Sequence, residues 1–196
     1  VGTATVKVTG KGNYTGEEEI NFEIEAKEIT VGMIISIPNQ MYAGTAIKPK
    51  VVVTYEKITL VEGTDYDVKY ENNQNAGTAI VIVTGKGNYA GEKKVEFTIT
   101  PAKFTDVNVE QSSFPTYDGK EQSVGVKATA NAIGDILAMF TYSTVESGTY
   151  ESSVPSFKDA GTYTVYYKAS AANHEEAQGS FDIIIGKAKT SEITIN

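Results

Sequence analysis

Gly85-Lys86-Gly87-Asn88 carries the residue types that cradle a phosphate: glycine-freed backbone N–H groups and one ammonium. A phosphate loop, however, presents its Lys-Ser/Thr pair at the start of a helix, and no helical pattern follows here. The stretch reads as a hairpin turn in which glycine supplies a positive φ. Two acidic stretches invite calcium, which takes several oxygens at one centre. Glu17-Glu18-Glu19 alternates around a strand start, so its carboxylates cannot all converge. Asp65-Tyr66-Asp67 offers two carboxylates only. Both read as solvated acidic faces. His174 lies in a turn before a strand and reads as exposed, with no nucleophile-elbow sequence beside it. No catalytic, cofactor-binding or metal residue is assigned, no cofactor is expected, and the ligand-binding residues are left unassigned.

The residue inventory narrows the chemistry further. Cysteine is absent, which removes disulfides, thiolate metal sites and cysteine nucleophiles together. With 17 Lys and Arg against 25 Asp and Glu, the net charge is -8. Affinity for nucleic acid comes from basic side chains, so nucleic acid is not an expected partner. No apolar run is long enough to span a bilayer as a helix, so membrane insertion is not expected, and no secretory leader pattern opens the chain.

The 12 tyrosines divide by position. Tyr66, Tyr70, Tyr163 and Tyr167 sit at core-facing parity. Tyr14 and Tyr89 follow the Asn of a glycine-rich turn. Exposed, they would stack on sugars; folded back, they would plug one end of a sandwich with a large apolar body. Ile80 and Ile82 break the alternation of their strand and would face outward. Ile133, Ile136, Leu137 and Met139 form a second apolar excess. Such patches mark an interface, and packing between modules or a covering loop is the preferred reading.

These residues are carried by repeats. Gly2-Thr3-Ala4 through Gly10-Lys11-Gly12-Asn13-Tyr14 recurs 75 residues later as Gly77-Thr78-Ala79 through Gly85-Lys86-Gly87-Asn88-Tyr89. From Gly2 to Ile24 this offset gives 15 identities in 23 positions. Ala160-Gly161-Thr162, Val165, Phe181 and Ile183 continue a more diverged copy. Tyr42-Ala43-Gly44 and Tyr117-Asp118-Gly119 repeat at the same offset. Joints recur at Ala26-Lys27, Ala102-Lys103 and Ala188-Lys189. The expected organisation is a trailing hairpin at 1–27, modules at 28–103 and 104–189, and the start of a further strand at 190–196, as in a piece of a longer array.

Within each module the apolar period is two. Ile20, Phe22 and Ile24 alternate with acidic and polar residues, as do Val95, Phe97 and Ile99, and Tyr66, Val68 and Tyr70. That is a strand with one buried and one wet face. Gly and Asn punctuate the strands, and no helix is predicted, even over 169–178. The expected fold class is all-β, with tandem immunoglobulin-like antiparallel β-sandwich modules. Strands F and G span 77–99. Strand B lies near 48–55 and 123–130, and strand A at 29–37 and 104–109. Asp159-Ala160-Gly161-Thr162-Tyr163-Thr164-Val165 is similar to the start of immunoglobulin strand F, where a Tyr hydroxyl bonds back to the E–F corner two residues before a disulfide Cys. Here the Cys position is Val165, with Val81 and Val6 as its counterparts. The corner Tyr is replaced by Ala79 and Ala4.

Together these residues resemble bacterial immunoglobulin-like repeats of large surface proteins. Tyr117-Asp118-Gly119-Lys120 and the 154–168 segment carry the mark of the Tyr-Asp-Gly type. The middle module is similar to a sister type through Gly63-Thr64-Asp65-Tyr66, Asn75-Ala76-Gly77-Thr78-Ala79 and Ile99-Thr100-Pro101-Ala102. It departs from the mark at Ala43. The resemblance implies a secreted or surface-displayed, non-enzymatic bacterial protein acting in adhesion or as a spacer. It implies host or matrix proteins or glycans as partners. The alternative is a set of accessory carbohydrate-binding modules of a secreted glycoside hydrolase. Some surface domains of this sort form Lys–Asn isopeptide bonds, but no Lys here sits clearly at an apolar strand position. The hairpin at 1–27 exposes Val6, Val8, Ile20, Phe22 and Ile24 unless covered, so docking on a neighbouring module or self-association through it is expected.

Overall fold

The alternation seen in the sequence becomes paired strands. The computed structural model describes residues 1–134 and 136–190, so the strand expected at 190–196 lies, beyond Thr190, outside the described residues. The chain is all-β, with a turn of 3-10 helix at Val31–Met33. Residues gather into two compact units. The first takes Val1–Gln40, Ile47–Asn73 and Gly77–Ile99; the second takes Met41–Ala46, Gln74–Ala76 and the chain from Thr100 onward.

In the first unit, β1 (Gly2–Thr9) and β2 (Glu17–Ile24) form an antiparallel hairpin with Gly2 opposite Ile24. β3 (Lys27–Glu28) leads to β4 (Gln40–Met41), β5 (Thr54–Tyr55), β6 (Ile58–Thr59) and β7 (Tyr66–Glu71). β8 (Gly77–Gly85), β9 (Tyr89–Ala90) and β10 (Glu92–Thr100) complete it. The main sheet runs β4-β10-β8-β7, with β8 antiparallel to both β7 and β10. Gly77 faces Ile99, the same register that sets Gly2 against Ile24 in the first hairpin. The inner face buries Tyr66, Ala79, Val81, Val83, Phe97 and Ile99, and Ile29, Ile34, Val51, Val53 and Leu60 are among the other buried apolar residues of this unit.

Two expected strands are less regular than their apolar pattern. Strand A at 29–37 is interrupted by the 3-10 turn. The Met33 sulfur accepts the Thr30 N–H at 3.4 Å, and Met33 and Ile34 donate to the Thr30 and Val31 carbonyls at 3.0 Å each. Gly32 eases that departure, since glycine weakens a strand interior. Strand B at 48–55 buries Val51 and Val53 in alternation, but regular pairing covers only β5 with β6. Pro49 has no N–H to contribute. Its carbonyl accepts the Tyr70 hydroxyl at 2.5 Å, and the Val51 carbonyl accepts the Tyr66 hydroxyl at 3.1 Å. Side chains thus take carbonyls that a strand ladder would have used.

The second unit carries β11 (Asp106–Gln111), β12 (Val126–Asn131), β13 (Met139–Ser143), β14 (Gly161–Ser170) and β15 (Ala177–Ile185). β11 pairs with β12, and a second sheet runs β13-β14-β15, every pairing antiparallel. β11 starts two residues later than expected, and β12 three. Val109, Val124, Tyr142, Val165 and Ile183 form the core, packed by Val126, Ala128, Phe140, Phe157, Tyr163 and Phe181. Apolar residues from both sheets meet there, which is an immunoglobulin-like sandwich with β13, β14 and β15 as strands C, F and G. Val165, at the disulfide position, is fully buried.

The tyrosine corner forms. The Tyr163 hydroxyl donates to the Asp159 carbonyl at 2.9 Å, and its ring stacks on Phe157 at 4.0 Å. Tyr163→Phe keeps the ring and removes the bond, so it lowers stability by about 1 kcal/mol in urea unfolding. An unchanged midpoint would show that the corner bond contributes nothing net.

The repeated Tyr-x-Gly tripeptides take one structural job. Tyr42 N–H donates to the Thr100 carbonyl and Tyr117 N–H to the Gly186 carbonyl, both at 2.9 Å, so each tripeptide stitches the chain to the end of a G strand. The following Gly44 and Gly119 adopt φ of 75° and 80°, where a side chain is strained. Asp118 adds an Asx turn, its Oδ1 accepting the Lys120 N–H at 2.9 Å and the Gln122 side-chain amide. Ala43 cannot make that turn.

Candidate functional site

The glycine-rich stretch is a closed turn between β8 and β10. Gly85 N–H donates to the Gly91 carbonyl at 2.8 Å, Lys86 N–H to Asp65 O at 2.9 Å, and Tyr89 N–H to Lys86 O at 3.1 Å. The Lys86 ammonium faces Asp67 at 3.4 Å. These donors point at the protein's own carbonyls. Gly87 takes φ 64° as expected, but Gly85 does not adopt a positive φ. Glycine is needed there because a Cβ would lie 2.6–2.7 Å from the Ala90 backbone.

The acidic candidates are held apart. Asp65 Oδ2 accepts the Val61 N–H at 2.8 Å, while Asp67 pairs with Lys86. Glu17 and Glu19 flank the Lys7 ammonium at 2.5 and 3.9 Å, and Glu18 stands opposite Val8 on the other face. Among the described residues no cluster of three or more His, Asp or Glu could hold a metal ion.

His174 is half-buried, which corrects the exposed reading. Its ring stacks on Phe104 at 5.2 Å and meets Tyr42 edge-on at 5.6 Å. Nε2 accepts the Ile133 N–H at 2.9 Å, so the ring proton resides on Nδ1, which donates to Ala172 O at 2.8 Å. Asn173 beside it, at φ 61°, accepts the Ala76 N–H at 3.0 Å and donates to the Asn75 side chain at 3.1 Å. This pair of residues orders the second unit around segments 41–46 and 74–76. Both ring nitrogens are occupied, so the imidazole is structural.

The tyrosines sort by burial. Tyr66 is buried; Tyr70, Tyr163 and Tyr167 are half-buried. Burial, then the nearby Glu62 carboxylate, raise the Tyr66 and Tyr70 phenols above their ordinary range, and burial raises Tyr142. The unfolded chain ionises its tyrosines near pH 10. Folding therefore retains its full contribution from these groups below about pH 10 and loses it as pH rises through their folded values. Alkaline difference absorption should resolve a late-ionising class, with the urea midpoint falling above pH 10. One ionisation step shared by all tyrosines would contradict this.

The two turn tyrosines, identical in sequence context, part company. Tyr89 is drawn in, because Lys27 N–H donates to Asn88 O and Ile29 N–H to Ala90 O, both at 2.9 Å, pinning its turn against β3. Tyr14 is 79% exposed. Ile82, read as outward-facing by its parity, is buried, and Ile80 is half-buried. Ile82 lies on the central strand β8, opposite Lys69 of β7 and Lys94 of β10. Ile133 and Ile136 are half-buried, whereas Leu137 and Met139 are exposed.

One groove was not singled out by the sequence. Glu146, Tyr150, Tyr166, Gln178, Gly179 and Ser180 line a cavity of about 230 Å³ on the second unit. Tyr150 donates its hydroxyl to Glu146 O at 2.8 Å, and the Lys168 ammonium sits 5.0 Å over its ring. Lys168 is itself bonded to Glu176 at 2.8 Å, which raises its pKa. One face of Tyr150 is therefore already covered by a cation. The signal was the parity of Tyr166, an outward aromatic on a strand otherwise read for its buried face.

No family model matches the chain, and no curated protein does. Among solved structures, a crystal structure of protocadherin gamma B7 extracellular cadherin domains 1–4 is similar at 10% identity and a TM-score of 0.26, over 90% of this chain and 56% of that one. The chain thus spans about 56% of the length of that neighbour. Strand order and buried faces, rather than this distant likeness, define the fold.

Proposed function

We propose that this chain is a non-catalytic segment of an extracellular bacterial surface protein, serving adhesion as a structural spacer. The observation that carries the reading is how the polar groups of the chemistry-bearing stretches are engaged. Lys86, Asp65, Asp67 and His174 each bind a neighbour in their own unit, while repeated apolar strands build sandwich cores. Such modules resist extension through long antiparallel F–G pairs, and their stabilities add by module and interface. The resemblance to bacterial immunoglobulin-like repeats supports placement at the cell surface.

Single-molecule stretching of the chain is expected to give separate unfolding steps of module size. Glycan and matrix-protein arrays are expected to give no saturable binding. Saturable glycan binding abolished by Tyr166→Ala would overturn the spacer reading in favour of an accessory carbohydrate-binding module, the function that the Tyr150–Tyr166 groove would then serve.

A further inference from the structure

The β1–β2 hairpin repeats the β8–β10 hairpin in sequence, register and turn, yet the two differ in cover. Val81, Val83, Phe97 and Ile99 are 0–3% exposed, whereas their counterparts Val6, Val8, Phe22 and Ile24 are 48–57% exposed. Among the described residues β1 and β2 pair only with each other. The covered hairpin also shows what does the covering. Lys27 and Ile29 donate to the carbonyls of Asn88 and Ala90, for which the first hairpin has Asn13 and Thr15. β7 pairs along β8, and Ile29, Val53 and Leu60 are buried in the same unit as the β8–β10 inner face.

We propose that the β1–β2 hairpin is a docking site for one kind of occupant, a polypeptide segment with the strand set of residues 27–75. The face is apolar where that set is apolar. Its F-strand edge is open where β7 would pair, and the Asn13 and Thr15 carbonyls stand where β3 would donate. The seated segment would restore, residue for residue, the interface that buries Val81, Phe97 and Ile99. The inference is independent of whether the array serves as a spacer.

The absence of cysteine allows a direct test, because one introduced thiol is a unique reporter. Val6→Cys is made in the full chain and in the full chain preceded directly by a second copy of residues 27–75. In the chain alone the thiol should react with a maleimide as fast as an exposed thiol. With the added segment the reaction should slow by about 100-fold or more, since access then requires opening of a folded module. A scrambled segment of the same composition should give no protection. Ala4→Cys, at the counterpart of the fully buried Ala79, repeats the test at a second position. Fast labelling at both positions in the extended chain would overturn the proposal. So would protection of the unextended chain that grows with its concentration, because a second copy of the hairpin would then be the occupant.

Discussion

Phe97→Ala should destabilise the first unit by about 3–5 kcal/mol, the cost of emptying an aromatic site in a packed core. Phe22→Ala, at the equivalent repeat position, should change stability by less than about 0.5 kcal/mol. The two residues share a sequence context, a strand type and a cross-strand partner: Phe97 faces Ala79 and Phe22 faces Ala4. They differ in burial, 3% exposed against 50%. The pair therefore separates what a residue contributes through its strand from what it contributes through its core. Urea unfolding followed by far-UV circular dichroism measures both. Equal losses would mean that the first hairpin is covered in solution by something other than the residues that cover its copy.

Gly85→Ala should cost roughly 3 kcal/mol, the upper part of the overpacking range. The added Cβ would meet the N, Cα and C atoms of Ala90 at 2.6–2.7 Å. Backbone cannot swing aside as a side chain can, and this backbone is held on both flanks. Ala90 O accepts from Ile29, and the Gly85 N–H is bonded to Gly91 O. The substitution must therefore open the turn or pull β9 from β3. Gly87→Ala is the informative comparison. Its cost comes from φ 64° and should be near 1 kcal/mol. If Gly85→Ala is no worse than Gly87→Ala, close approach is not what requires glycine there.

The hairpins and the fold class were legible because their signals are local. Period-two alternation and a Gly-Lys-Gly-Asn turn lie within one stretch of chain, and the repeat states them twice. The irregular strands were not legible because distant groups decide them. Nothing near Pro49 and Val51 announces that Tyr70 and Tyr66, from a later strand, will take their carbonyls. His174 misled for the same reason: its enclosure is built by Tyr42, Phe104 and Ile133, none of them its sequence neighbours. Ile82 shows the limit of parity, since a residue out of phase with the inner face of a central strand is buried all the same. Tyr14 and Tyr89 show the converse, as one sequence motif has two exposures according to whether a β3 is present to receive it.

The far edge of β15 has a further consequence. Gln111 lays its side-chain amide across that strand, donating to Ile184 O at 2.9 Å and accepting the Ile184 N–H at 2.8 Å. One step on, Gly186 is bonded on both sides by Pro115 O and the Tyr117 N–H. A side-chain amide has the same donor and acceptor as a peptide group, so Gln111 acts as a one-residue imitation strand. An open sheet edge is a template for aggregation. Here a foreign chain approaching the end of β15 finds the peptide groups of Ile184 and Gly186 already answered. A second chain would thus be kept from extending the sheet past this end of β15, and the device costs the fold a single glutamine.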